Sequence, residues 1–120
     1  MTYQTHSFKV PHILIVEDDD GHADLVQEGL RDSGIFNPII RFANGAEAWD
    51  FLTGKDALRT FNPEGAYLIL LDIQMPQMDG IEVLRRIKSE GSLRSTPVIM
   101  LTTTDDPREI EHCYELGCNA

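Results

Sequence analysis

Three carboxylates and one hydroxyl lie at the ends of short apolar runs in this sequence. Glu17 and Asp18 follow the first run, Asp72 follows the second, and Thr102 follows the third. Carboxylates that converge from separate strands raise one another's pKa or need a cation between them. Hard oxygen ligands suit Mg²⁺, which often shares its coordination shell with phosphate oxygens. A carboxylate can also form an aspartyl-phosphate, and a hydroxyl can donate to a phosphoryl oxygen. The residue types therefore favour phosphoryl transfer to the protein itself.

The apolar runs that precede these residues predict strands of a parallel sheet. Ile13–Val16, Leu68–Leu71 and Val98–Leu101 are unbroken rather than alternating, which is typical of strands buried on both faces. Pro38–Phe42 is a weaker fourth candidate, since it contains β-branched residues. In an open parallel sheet, functional groups collect beyond the carboxyl ends of the strands. We therefore expect the carboxylates and the hydroxyl to meet at one edge, with no Lys or Arg among them.

Helical patterns separate the predicted strands. Apolar residues recur at helical spacing over Ala23–Leu30, Ala46–Leu52 and Ile81–Ile87. A last helix is expected to begin after Asp106 as its N-cap and to end at Gly117. Strand and helix thus alternate four times. This order predicts an α/β fold with a central parallel sheet and helices on both faces.

The composition indicates one ordinary globular domain. The 120 residues carry 10 Lys and Arg against 20 Asp and Glu, a net charge of −10. Such a charge argues against direct binding of nucleic acid or an anionic membrane, because both are polyanions. The longest apolar run, Ala66–Leu71, is far shorter than the roughly 20 residues that span a bilayer. Because the first residues are polar and show no secretory signal, we expect a cytoplasmic protein.

The histidines and cysteines predict no second metal site. His22 and His112 lie in predicted helices, where a position on the helix surface is the simplest interpretation. Cys113 and Cys118 are too few for a disulfide framework and lack the C-x-x-C spacing of a redox or zinc site.

Three segments resemble the receiver domain of response regulators. They are Ile15–Asp19, Leu71–Gly80 and Pro97–Thr102, and the second contains the specific pattern D-x-x-M-P-x-M-D-G. The resemblance runs from about His12 to Ala120. It implies a flavodoxin-like, doubly wound parallel sheet with the strand order 2-1-3-4, and a bacterial two-component signalling function.

The resemblance implies a role for each residue at the acidic edge. Asp72 would be the phosphoacceptor, which takes a phosphoryl group from the phosphohistidine of a histidine kinase or a histidine phosphotransfer protein. Asp18 would bind Mg²⁺ directly and Glu17 through water, with Asp72 and the backbone carbonyl of Gln74 as further ligands. Thr102 would be the switch hydroxyl, which moves toward the phosphoryl group and changes the surface near the last helix.

The sequence departs from the full pattern of the family at its C-terminal end. The family continues into a fifth strand with an aromatic residue and a Lys-Pro pair, and then into a fifth helix, whereas this sequence stops at Ala120. We therefore expect a truncated receiver domain over 12–120, behind an N-terminal extension over 1–11. The long segment Thr53–Ala66 also resembles the small regulators that partner bacterial phytochromes. A homodimer is a further association that the family implies.

Two classes of function fit these residues. The first is a phosphoacceptor that assists only its own phosphorylation and dephosphorylation. The second is a pseudo-receiver, a protein-interaction module that uses the same fold without phosphorylation. A phosphatase of the haloacid dehalogenase type is disfavoured, because it needs a second Asp where this sequence has Gln74. Mg²⁺ binding and phosphorylation of Asp72 would separate the first two classes.

Overall fold

The structure, a computed structural model, describes residues 10–73, 75, 80–101 and 107–119. Within these ranges, strands and helices alternate along the chain as the sequence predicts. The strands are β1 (His12–Val16), β2 (Ile39–Phe42), β3 (Tyr67–Leu71) and β4 (Val98–Met100), and the helices are α1 (Asp20–Asp32), α2 (Gly45–Leu52), α3 (Gly80–Ser89) and α4 (Pro107–Glu115). Among the described residues, no helix has the length and apolar character needed to cross a membrane.

The strands form one parallel sheet in the order β2-β1-β3-β4. β1 pairs with β2 on one side and with β3 on the other. Val16 lies opposite both Phe42 of β2 and Leu71 of β3, so these three strands end at the same level. Met100 of β4 lies opposite Leu71 in turn. The observed order confirms the sheet that the receiver resemblance implies.

Side chains of the sheet contribute to two apolar cores, one on each face. Successive residues of a strand point to opposite faces, so one unbroken apolar run supplies both cores. Leu14 and Val16 belong to a large core that also contains residues of α2, α3 and α4. Ile13 and Ile15 belong to a smaller core that packs against α1. The predicted burial of the first strand on both faces is therefore confirmed.

Polar side chains and glycine fix where several helices begin and end. Asp19 caps α1 by accepting a hydrogen bond from the backbone N–H of His22 at 3.1 Å. Asn44 caps α2 in the same way. Gly117, just beyond α4, has a φ of 107°, which side-chain-bearing residues rarely adopt, and it ends the helix as expected. The predicted cap of that helix, Asp106, lies outside the described residues.

Helix α3 approaches the end of β3 closely at Gly80. A Cβ atom at this position would lie 2.2 Å from the carbonyl oxygen of Asp72 and 2.3 Å from the Cα atom of Ile73. Both neighbours are backbone atoms, which cannot rotate away as the end of a flexible side chain could. The first residue of α3 must therefore be glycine if Asp72 is to keep its position.

We expect Gly80→Ala to destabilise the fold by about 3 kcal/mol, the upper part of the usual range for overpacking, because the clash is with backbone. Gly29→Ala is the matched control. Its Cβ would meet nothing within 4 Å, and alanine in a helix interior is more stable than glycine by about 0.5–1 kcal/mol. Urea unfolding followed by circular dichroism measures both variants. Equal stability of Gly80→Ala and the wild type would contradict the close approach.

Candidate metal and phosphoacceptor site

Glu17, Asp18 and Asp72 meet at the carboxyl edge of the sheet. Each offers one carboxylate oxygen, and these oxygens all lie within 4.8 Å of one another. The strand pairing brings them together, because the N–H of Asp72 donates to the carbonyl of Val16 at 2.9 Å. The residues directly beyond β1 and β3 are consequently neighbours. Within the described ranges, no other group of three His, Cys, Asp or Glu side chains converges in this way.

Burial of two of these carboxylates makes their negative charges unfavourable. Glu17 is 1% exposed and Asp72 is 9% exposed, whereas Asp18 is open to solvent. Loss of solvation, together with the hydrogen bond to Asp72 and its charge, raises the pKa of Glu17 to about 7. Two carboxyl groups share a hydrogen bond only when one of them is protonated. Near neutral pH, a proton or a cation is therefore needed between them.

His22 lies beside the buried carboxylate of Glu17. Its Nδ1 forms a hydrogen bond with Oε1 of Glu17, while Oε2 of Glu17 accepts from the N–H of Asp19 at 3.2 Å. The sequence predicts a position on the helix surface, but the histidine side chain is half-buried against Glu17. It reaches Glu17 because α1 begins within a few residues of the end of β1. The signal that could have found it is this short strand-to-helix connection.

Arg41 brings a positive charge to the same edge, contrary to the expectation of no Lys or Arg there. Its Nε and Nη2 donate to the carbonyl oxygen of Glu17 at 3.0 and 2.7 Å. Its Nη1 donates to Asp20 at 2.6 Å. The sequence pattern points only to residues that follow each strand, whereas Arg41 lies within β2. Only the pairing of β2 with β1 brings it to Glu17.

The other two predicted site residues, Gln74 and Thr102, lie outside the described residues. Neighbouring residues that the structure describes are Ile73 and Met75 beside Gln74, and Leu101 before Thr102. Ile73 and Met75 are buried in the large core and anchor the segment after β3. The N–H of Leu101 donates to the last residue of β3 at 2.7 Å, so the chain beyond β4 starts at the same edge of the sheet.

The donor set suits a hard divalent cation. Mg²⁺ prefers oxygen ligands and is usually held by only one or two carboxylates, with water and phosphate oxygens completing its shell. A cation between Glu17 and Asp72 would offset the loss of solvation and the nearby charge of Asp72, both of which raise the pKa of Glu17. Asp18 is exposed, so this side of the cluster is open to water or to a phosphate group.

Comparisons with known proteins identify one family. The family model described as "Response regulator receiver domain" matches residues 13–120. The response regulator Rcp1 of Synechocystis sp. is 38% identical over 107 residues, which cover 89% of this chain and 71% of Rcp1.

Solved structures of response regulators share the fold. The bacteriophytochrome response regulator AtBRR is 31% identical with a TM-score of 0.78, covering 93% of this chain and 80% of that chain. The Mn²⁺-bound form of response regulator Rcp1 is 36% identical with a TM-score of 0.78, covering 91% of this chain and 77% of that chain. Mn²⁺, like Mg²⁺, suits carboxylate, carbonyl and water ligands. These similarities agree with the resemblance to receiver domains and to phytochrome-associated regulators.

In the absence of divalent cations, we expect the free energy of unfolding to fall as the pH rises, because Glu17 loses its proton. The pKa of Glu17 is raised from 4.5 to about 7 in the folded state. Between these values the folded protein binds more protons than the unfolded chain, so the free energy of unfolding falls with increasing pH.

The measurement is Tm in a chelator between about pH 4.5 and pH 7.5, for the wild type and Glu17→Gln. The glutamine cannot lose a proton, so Tm of the variant should fall less than Tm of the wild type across this range. Equal pH profiles for the two proteins would contradict the raised pKa.

Proposed function

Because this chain belongs to the response regulator receiver family, we propose that Asp72 accepts a phosphoryl group from a phosphohistidine. The family supplies the signalling function: receiver domains are the phosphoacceptors of two-component systems. The assignment to Asp72 is carried by its position. It is a buried carboxylate at the end of β3, within 4.8 Å of carboxylate oxygens of Glu17 and Asp18.

Asp72 would act as the nucleophile in this transfer. A carboxylate oxygen attacks phosphorus while the phosphorus–nitrogen bond to the donor histidine breaks. The electron pair of that bond stays on the imidazole nitrogen, and Asp72 becomes an acyl phosphate. Attack of water on phosphorus later releases inorganic phosphate and restores the carboxylate. The protein thus assists its own phosphorylation and dephosphorylation and is not an enzyme acting on an external substrate.

Glu17, Asp18 and Asp72 would hold Mg²⁺ for this reaction, with the backbone carbonyl of Gln74 as a further proposed ligand. Mg²⁺ supplies positive charge that stabilises the carboxylates and the incoming phosphoryl oxygens. Asp18 is exposed and suited to direct coordination. The oxygens of Glu17 already contact a backbone N–H and His22, which favours coordination through water.

The phosphorylated state would be sensed by Thr102 and read out on the surface of α4. In this proposal the hydroxyl of Thr102 moves toward the phosphoryl group, and the chain that leads into α4 follows it. α4 is anchored to the large core through Cys113, while Tyr114 is 52% exposed. A shift of this helix therefore changes an aromatic surface that partners can contact.

The partners follow from the same chemistry. The phosphodonor is a sensor histidine kinase or a histidine phosphotransfer protein in the bacterial cytoplasm, and similarity to a bacteriophytochrome response regulator favours a phytochrome-type kinase. We assign residues 12–120 to the receiver domain, preceded by an extension over 1–11.

A homodimer is a second proposed association. With a net charge of −10, the domain acts on proteins rather than directly on nucleic acid or anionic membranes.

We expect incubation with acetyl phosphate and Mg²⁺ to add one phosphoryl group to the wild-type chain and none to Asp72→Asn. Asp50→Asn is the matched control, because Asp50 is an exposed carboxylate on α2 that does not belong to the cluster. It should be phosphorylated as the wild type is. Intact mass spectrometry measures the adduct, with a chelator-treated sample to test the requirement for a divalent cation.

Two results would contradict the proposal. The first is an adduct on Asp72→Asn equal to that on the wild type, which would place the phosphoacceptor elsewhere. The second is a wild-type chain that acquires no adduct, which would favour the pseudo-receiver instead.

A further inference from the structure

The guanidinium group of Arg41, a residue of β2, connects the end of β1 with the first turn of α1. Its Nε and Nη2 both donate to the carbonyl oxygen of Glu17, and its Nη1 donates to Asp20 of the first turn of α1. The side chain is 25% exposed, so these contacts are partly shielded from water. A planar guanidinium presents its donors in a rigid fork and holds its acceptors in a defined orientation.

The carbonyl that Arg41 holds belongs to the peptide group between Glu17 and Asp18. The N–H of Glu17 donates to the carbonyl of Phe42 at 3.1 Å. Both backbone polar groups of Glu17 are therefore fixed by β2. Rotation of this peptide group would change the direction of the backbone at Asp18 and would therefore move the carboxylate of Asp18. Binding sites of this kind require their groups to be held within about 0.5 Å of the productive geometry.

We propose that Arg41 is a positioning residue for cation binding, acting through the peptide group that joins Glu17 to Asp18. The proposal rests on the proposed function, since the cation is the one that phosphorylation of Asp72 requires. Arg41 is not a ligand itself, because its donors are directed at a carbonyl and at Asp20.

The positive charge of Arg41 lowers the affinity for a cation, whereas its hydrogen bonds are proposed to raise that affinity. A guanidinium near a cation site repels the cation, so an effect of charge alone would make removal of Arg41 strengthen binding. The ion pair with Asp20 reduces this effect, and solvent screens what remains, since Asp20 is 88% exposed. The orienting role therefore dominates. The two roles predict changes of opposite sign, which makes them separable.

Mn²⁺ binding to the whole chain, followed by electron paramagnetic resonance of the free ion, tests this inference. Loss of an orienting contact to a metal ligand typically costs about 10–100-fold in affinity, and we expect at least a tenfold loss in Arg41→Gln. Arg41→Lys keeps the charge without the fork, so it should restore only part of the affinity. Asp20→Asn removes the exposed ion pair alone and should bind within about twofold of the wild type. Arg86→Gln removes an arginine that pairs with Glu82 on α3 and should bind as the wild type does.

The stoichiometry distinguishes positioning from a loss of folding. A variant that only unfolds in part would bind fewer ions per chain at unchanged affinity, whereas a positioning defect lowers the affinity at full stoichiometry. Arg41→Gln and Arg41→Lys that bind Mn²⁺ as tightly as the wild type, or more tightly, would overturn the inference and leave the proposed function intact. Asp18→Asn, which removes a proposed ligand, should bind no Mn²⁺. A wild-type chain that binds no more Mn²⁺ than Asp18→Asn would overturn both the inference about Arg41 and the proposed function.

Discussion

The convergence of three carboxylates at one edge of the sheet is the constraint around which the rest of this structure is arranged. Glu17, Asp18 and Asp72 are brought within 4.8 Å by the pairing of two parallel strands, and two of them are buried. Like charges do not collect in this way unless the surrounding packing forces them to. That packing is the pair of apolar cores on either face of β1 and β3, together with the backbone bond from Asp72 to Val16. The fold thus maintains an edge that a cation can stabilise.

Much of this arrangement was predictable from the sequence. Unbroken Ile, Val and Leu runs predicted buried parallel strands, and the structure has strands at these runs. Once the strands are parallel, the residues that follow them must share an edge, so the sequence predicts that Glu17 and Asp72 lie together. The strand order required more than periodicity, because apolar runs do not state which strands are neighbours. It came from the resemblance of the segment around Asp72 to the receiver family.

The contacts that surround the carboxylates were not predictable in the same way. The sequence predicts His22 on the surface of a helix, because helical spacing says nothing about what lies beyond the N-terminus of the helix. Arg41 lies inside the weakest predicted strand, and its contact with Glu17 depends on the pairing of β2 with β1. Such contacts arise from tertiary structure, so residue type and spacing carry no signal for them. Gln74 and Thr102 lie outside the described residues, and their roles stay predictions.

The absence of a side chain at Gly80 has a mechanical consequence. Side-chain contacts can absorb small movements by changing rotamer, but the backbone of α3 touches the backbone of Asp72 and Ile73 with no side chain between them. α3 and the end of β3 must therefore move together as one stiff unit. A bulky new group on Asp72 cannot be accommodated by compression on that side. Adjustment to the proposed phosphoryl group therefore has to come from other parts of the edge than this backbone contact.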